Sequence, residues 1–147
     1  MATKRTGGEP WMSADDYGRG MPGFTVNLLV VDVDRSVEFY GQVLGARVHY
    51  RDVDFAALRM GGLDFIVHAD HTYEHHPWYS ELSGGVRRGL GAELRLFGID
   101  PDQTESKARE AGAVVLQASM DKPHGWRDVI IADPDGYAWA VGMPKGR

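Results

Sequence analysis

The sequence predicts an α+β domain built from two βαβββ modules, because one order of segments occurs twice along a chain of 147 residues. Each copy has an apolar strand, an acidic helix start, a helix that stops at Gly-Ala, and three short alternating segments. The first copy covers residues 24–70, the second covers residues 91–143, and residues 71–90 connect them. Since a repeated unit that cannot bury its own apolar face packs against its twin, residues 24–147 are expected to form a single domain.

In the first module, the segment FTVNLLVV predicts a strand, and the residues after it predict a helix near Asp34–Leu44. Apolar residues at helical spacing form one stripe along this helix: Val33, Val37, Tyr40 and Leu44. Gly45 suits the left-handed conformation that ends a helix. Three strands are predicted to follow, namely Ala46–Tyr50, Phe55–Met60 and Leu63–Ala69.

In the second module, the segment GAELRLFGI predicts a strand, followed by a helix near Asp102–Ala111. Asp100 is a good N-cap with Pro101 at the first helical position, and Gly112 suits the C-terminal end. The apolar stripe of this helix is weak, so we expect it to be the more exposed of the two. The predicted strands are Val114–Ala118, Val129–Ala132 and Tyr137–Val141, the last two joined by the turn DPDG.

Residues 1–23 are rich in glycine, proline and charge, which predicts an irregular N-terminal arm. Trp11, Met12 and Tyr17 indicate that part of this arm packs on its own domain or on a partner subunit. The arm lacks the apolar segment of a secretory signal, and no apolar run approaches the roughly 20 residues that span a bilayer. With no cysteine in the chain, these features suit a cytoplasmic protein. A net charge of −5 argues against nucleic acid or an anionic membrane as a partner.

Two motifs carry a resemblance to a known family: DVDRSVEFYGQVLGARV at Asp32–Val48, and DPDG near the C-terminus. Over Phe24 to about Gly142, the chain resembles the vicinal oxygen chelate superfamily of glyoxalase, bleomycin-resistance and dioxygenase proteins. The pattern is most similar to that of bleomycin-resistance-type members. The resemblance implies that the two modules form a curved half-open barrel whose concave face holds a ligand. It also implies a homodimer, because members of the family usually complete their cavities with a second subunit.

In the metalloenzymes of this superfamily, one residue from the first and last strand of each module binds a divalent metal. The matching positions in this sequence are Thr25, Ile66, Glu93 and Ala140. One hydroxyl, two apolar side chains and one carboxylate are a poor ligand set for a divalent metal, so we expect no metal and no other cofactor. A partial site formed by His68 with Glu93 is the alternative.

Strand alternation identifies the side chains that share a face with these four positions. Glu93 and Arg95 fall on one face, either as a structural ion pair or as a site for a cationic ligand group. The segment HADHTYEHHPWY, which runs from the end of the first module into the connector, is rich in histidine and aromatics. This composition favours packing on the sheets over a metal role and also suits the stacking of a planar ligand. The predicted ligand-binding residues are Asn27, Leu29, Ile66, His68, Tyr73, Trp78, Glu93, Arg95, Phe97, Trp126 and Ala140.

These observations predict a small-molecule binding protein of the bleomycin-resistance type, one that sequesters a hydrophobic or planar compound without transforming it. Two alternatives stay open. One is a lyase, isomerase or oxygenase that uses Glu93 or His68, and the other is a structural or regulatory module whose cavity is filled by its own side chains. No catalytic residue is assigned, since no serine–histidine pair or other nucleophile motif stands out.

Overall fold

The computed structural model describes residues 3–146 and divides into two compact units, one made mostly of residues up to Val86 and the other mostly of residues from Arg87 onward. The first unit has the helices α1 (Ala14–Gly20), α2 (Val33–Gln42) and α3 (Tyr79–Ser83) and the strands β1 (Asn27–Val30), β2 (Arg47–Arg51), β3 (Phe55–Met60) and β4 (Leu63–Ala69). The second has α4 (Pro101–Glu110) and the strands β5 (Glu93–Phe97), β6 (Val114–Asp121), β7 (Trp126–Ala132) and β8 (Ala138–Pro144). Among the described residues, no helix is long and apolar enough to cross a bilayer.

The two modules have equivalent topologies. The first sheet has the strand order β1-β4-β3-β2 and the second has the order β5-β8-β7-β6. In each sheet the first strand pairs in parallel with the last, and the remaining pairs are antiparallel. The predicted α+β class and the twofold occurrence of βαβββ are therefore confirmed.

Both predicted module helices are confirmed, and their ends lie within two residues of the predicted ones. The carboxylate of Asp100 accepts hydrogen bonds from the backbone N–H groups of Asp102 and Gln103. Gly45 and Gly112, which follow α2 and α4, both have φ of +71°. Helix α4 buries three residues where α2 buries five, so it is the more exposed helix, as its weak stripe predicts.

Removal of the Asp100 cap gives a first testable expectation. Asp100→Ala should lower the free energy of unfolding by about 1 kcal/mol, because two N–H groups at the start of α4 lose their acceptor. Asp100→Ser should cost far less, since a serine hydroxyl can accept the same bonds. Urea denaturation of the two variants measures the difference, and equal losses would contradict the capping role.

The N-terminal arm differs from the prediction that it is irregular. Residues Ala14–Gly20 form α1, whose N-cap Ser13 accepts a hydrogen bond from the backbone N–H of Asp16. Acidic residues in the first turn and the Asp15–Arg19 ion pair offset the poor helix propensity of the glycines. The expectation that the arm packs on its own domain is met, because the ring of Trp11 stacks on that of Tyr50 with centroids 4.7 Å apart.

The connector contains little regular secondary structure. It contains a 3₁₀ turn at Asp70–Tyr73 and the five-residue helix α3. Thr72 is buried, and its hydroxyl donates a hydrogen bond to the carbonyl of Ala69, which fixes the turn against the end of β4. This turn brings His71 and Tyr73 back onto the first module.

Candidate functional site

The first unit contains a cavity of about 590 Å³ beside the sheet of the first module. Small-molecule sites in proteins usually enclose about 300–1,000 Å³, so this volume suits a compound of several fused or linked rings. Part of the wall comes from the N-terminal arm, through Lys4, Thr6, Pro10, Trp11, Met12 and Tyr17. Another part comes from the module, through Thr25, Asp52, Phe55, Ile66, His68 and Tyr73.

Aromatic rings form a continuous layer along this cavity. The ring of Phe55 lies 6.3 Å from that of Trp11 and nearly parallel to it, and the ring of Tyr17 meets Phe55 edge to face at 6.1 Å. Phe55 also contacts the imidazole of His68, with centroids 5.1 Å apart. Rigid flat rings with polar tips suit the binding of a planar, largely apolar ligand.

The carboxylate of Asp54 holds the arm against the module. It is 4% exposed and accepts hydrogen bonds from the backbone N–H of Arg5 at 2.8 Å and of Thr6 at 3.0 Å. The Nε2 atom of His71 lies 2.6 Å from the same carboxylate. Burial alone would raise the pKa of Asp54, but the hydrogen bonds from His71, Thr6 and Arg5 outweigh it and keep that pKa below its ordinary value.

The neighbouring Asp52 orders the loop between β2 and β3. Its carboxylate accepts hydrogen bonds from the backbone N–H groups of Asp54 and Phe55, and from the hydroxyl of Tyr50 at 2.6 Å. This last bond raises the pKa of Tyr50 to about 12 and fixes the ring on which Trp11 stacks. Asp54 thus holds the arm, and Asp52 holds the loop between β2 and β3.

A chain of hydrogen bonds links His68 to the connector. The Nδ1 atom of His68 lies 2.8 Å from the side-chain oxygen of Asn27, and the side-chain nitrogen of Asn27 donates to the hydroxyl of Tyr73 at 2.6 Å. Burial lowers the pKa of His68 to about 4, while the charge of Asp52 acts weakly in the opposite direction. His68 is therefore neutral at pH 7.

The Tyr17 hydroxyl is the other notable polar group of the wall. It is buried and has no hydrogen-bond partner among residues 3–146. Burial, followed by the charge of Asp64, raises the pKa of Tyr17. A neutral phenol that can either donate or accept a hydrogen bond thus stands beside the aromatic layer.

The structure places the predicted site residues of the first module and the connector in different settings. Ile66, His68 and Tyr73 line the cavity, and Asn27 contacts two of them. Leu29 does not line it: this residue is 4% exposed and belongs to the core, because both faces of β1 are covered along Leu28–Val30. Trp78 also lies outside the lining, 59% exposed, with its ring against the imidazole of His76 at 4.6 Å.

The predicted residues of the second module form a cluster of their own. Glu93 and Arg95 make an ion pair of 3.0 Å, and Arg95 also lies 3.5 Å from the buried carboxylate of Asp128. The rings of Phe97 and Trp126 meet edge to face at 5.3 Å. Ala140, with 2% exposure, lies beside Arg95 in the strand pairing and is buried. The part of these residues in ligand binding stays a prediction.

The four positions that match metal ligands of the superfamily do not suit a metal. The hydroxyl of Thr25 donates to the carbonyl of Asp64, Ile66 and Ala140 have no donor atoms, and Glu93 is paired with Arg95. Within residues 3–146, no group of three or more histidine or carboxylate side chains is arranged to hold a metal ion. In the connector, the Nε2 atom of His71 lies against the carboxylate of Asp54.

One partial signal for the lining residues that were not predicted is present in the sequence. Trp11, Met12 and Tyr17 stand out as apolar residues in a polar arm, which indicates packing, but nothing local shows that they pack beside a cavity. The anchor at Asp54 was missed because its partners, Arg5 and Thr6, lie almost fifty residues away and bind through their backbone.

Two βαβββ modules of one topology define the fold of the glyoxalase, bleomycin-resistance and dioxygenase proteins. The chain belongs to the Glyoxalase-like domain family, whose model matches residues 24–142. The superfamily resemblance of the sequence is thereby confirmed.

Individual relatives are distant. The uncharacterized protein Mb0911c of Mycobacterium bovis is 28% identical over 135 residues, and the match covers 84% of each chain. Among solved structures, a glyoxalase/bleomycin resistance protein/dioxygenase family enzyme from Burkholderia phytofirmans PsJN has a TM-score of 0.68 at 22% identity, over 82% of this chain and 97% of the other. TioX from Micromonospora sp. ML1 has a TM-score of 0.60 at 23% identity, over 82% of this chain and 97% of its own. These structural likenesses show a shared fold.

Proposed function

We propose that this protein binds and sequesters a planar, largely apolar small molecule without a metal, in the manner of the bleomycin-resistance-type members of its superfamily. The observation that carries the proposal is the cavity of about 590 Å³ in the first unit, with its layer of aromatic rings and its mostly apolar surface. Sequestration needs affinity and no transition-state stabilisation, which suits a protein in which two of the four metal-ligand positions, Ile66 and Ala140, carry no donor atom. In this proposal the protein acts as a cytoplasmic homodimer and contributes to resistance against the compound that it binds.

An enzyme is the second candidate, and His68 is the residue that favours it. An imidazole nitrogen in a ligand-sized cavity is within reach of a bound substrate. A pKa of about 4, however, makes this imidazole a weak base at pH 7, and a general base works best with a pKa near the working pH. The observed arrangement therefore supports ligand binding better than proton transfer.

Native mass spectrometry of freshly purified full-length protein tests the proposal. We expect a dimer that carries an organic compound below about 1 kDa, and denaturation should release this compound. The protein should hold well under one equivalent of iron, zinc, nickel or manganese. A thermal-shift screen of planar compounds should give stabilised complexes whose ligands are recovered unchanged after incubation. Stoichiometric metal, or conversion of a bound compound, would overturn sequestration in favour of the enzyme.

A further inference from the structure

We propose that the Nε2 atom of His68 accepts a hydrogen bond from the bound molecule and so selects neutral planar compounds that carry an O–H or N–H donor on their edge. Phenols and compounds with an amide, indole or pyrrole N–H are the chemical class that fits. This inference rests on the proposed function, since it concerns the ligand of the same cavity.

The first step is the tautomer of His68. The side-chain nitrogen of Asn27 donates to Tyr73, which leaves the Asn27 oxygen as an acceptor for the imidazole. The proton of a neutral His68 therefore stands on Nδ1, and Nε2 keeps its lone pair. Tyr73 and Asn27 act as positioning residues that hold this tautomer.

The second step is the direction of the free nitrogen. His68 and Tyr73 line the cavity while Asn27 does not, so the edge of the ring that carries Nδ1 is turned toward Asn27 and away from the ligand space. Among the described residues, Nε2 has no hydrogen-bond partner. His68 is half-buried and lies beside aromatic rings. A bound ligand without a hydrogen-bond donor would leave Nε2 unpaired, which costs free energy, whereas a ligand with a donor avoids that cost.

The third step concerns the charge of the ligand. The charged side chains along the wall are the Lys4 ammonium and the Asp52 and Asp54 carboxylates, so carboxylates are in excess. The charge of Asp52 acts to raise the pKa of His68, and that of Asp64 raises the pKa of Tyr17, so both carboxylates lie close enough to interact with the wall of the cavity. An anionic compound would be repelled, and a neutral donor meets no such penalty.

Three matched naphthalene probes test the preference in the full-length protein. 2-Naphthol is neutral at pH 7 and carries a donor, 2-methoxynaphthalene lacks that donor, and 2-naphthoate is an anion of the same ring system. We expect 2-naphthol to bind about tenfold more tightly than 2-methoxynaphthalene, and 2-naphthoate to bind most weakly, as measured by titration calorimetry. His68→Phe should lower the affinity for 2-naphthol about tenfold and change that for 2-methoxynaphthalene less than about twofold.

Two further variants keep the test interpretable. His124→Phe makes the same change at an exposed position outside the cavity and should alter neither affinity. Asn27→Leu leaves the imidazole in place but removes the group that fixes its tautomer, so it should also reduce the preference for 2-naphthol. This second variant replaces His68→Phe if the latter fails to fold.

The tautomer can be read without a ligand. Nitrogen-15 spectra of the free protein at pH 7 should show His68 protonated at Nδ1 only, and a proton on Nε2 would overturn the inference. Equal binding of the two neutral probes, or a preference that survives in His68→Phe, would overturn it as well while leaving the proposed function intact. Failure of every naphthalene probe to bind the wild-type protein would instead count against the proposed function, and the inference would fall with it.

Discussion

Asp54→Ala is expected to lower the free energy of unfolding by about 3 kcal/mol, because removal of a buried carboxylate leaves several hydrogen-bond donors without their acceptor. The carboxylate is 4% exposed, and three groups lose their acceptor when it is removed: two backbone N–H groups of the arm and the imidazole of His71. Urea denaturation at pH 7 measures the loss. The arm should also come free, so trypsin should cut after Arg19 faster than in the wild-type protein.

The pH dependence of this loss follows from the sign of the pKa shift. The pKa of Asp54 in the folded protein lies below its unfolded value of about 3.9. The stabilisation by the carboxylate is therefore complete above about pH 5 and is lost as the pH falls through the lower folded-state pKa. The stability difference between wild type and Asp54→Ala should shrink over the same acidic range.

Asp34→Ala is the matched control for this experiment. Asp34 is an exposed carboxylate of the same unit, 3.7 Å from Arg51 in a surface ion pair, and its loss should cost less than about 0.5 kcal/mol. This variant should leave the arm as resistant to trypsin as in the wild type. Equal cleavage rates in the two variants would mean that Asp54 does not hold the arm.

The module architecture could be predicted because its signals are local. Asp100 with Pro101 marks the start of α4, and Gly45 and Gly112 lie three and two residues beyond the last residues of α2 and α4. The strands Phe55–Met60 and Leu63–Ala69 were predicted with their observed bounds, because alternation and a tight Gly-Gly turn leave little freedom in register. Such features depend on a few neighbouring residues and need no knowledge of distant contacts.

The cavity was harder to predict, because its wall is made by segments far apart in the chain. Strand alternation places Ile66 and His68 on one face of β4, and Leu29 pairs with His68 on that face, yet Leu29 is buried and does not line the cavity. Alternation distinguishes two faces of a strand, whereas burial depends on what covers each face, and both faces are covered at that end of β1. The aromatic rings that the arm adds to the cavity wall are held by contacts such as that of Trp11 with Tyr50. Such contacts join segments far apart in the chain, so the pattern of residues within the arm does not predict them.

Trp11→Ala is expected to weaken the binding of 2-naphthol by about 2 kcal/mol, or about thirtyfold, because the indole contributes a large flat apolar surface to the cavity. The expected effect on stability is smaller. Trp11 is 41% exposed in the free protein, and its main folded-state contact is the stack on Tyr50, a type of pair that contributes about 0.5–1.5 kcal/mol beyond its buried area. Titration calorimetry and thermal melting of one preparation separate the two effects.

Trp78→Ala is the control that decides between the structure and the sequence-based expectation. The sequence-based prediction includes Trp78 among the ligand-binding residues, whereas in the structure it is 59% exposed and packs on His76 outside the cavity lining. If the cavity of the first unit is the ligand site, Trp78→Ala should change the affinity less than twofold while Trp11→Ala changes it about thirtyfold. The reverse order of effects would move the ligand away from the arm and back toward the connector, because only a molecule bound there can lose contact with Trp78 and keep its contacts when Trp11 is removed.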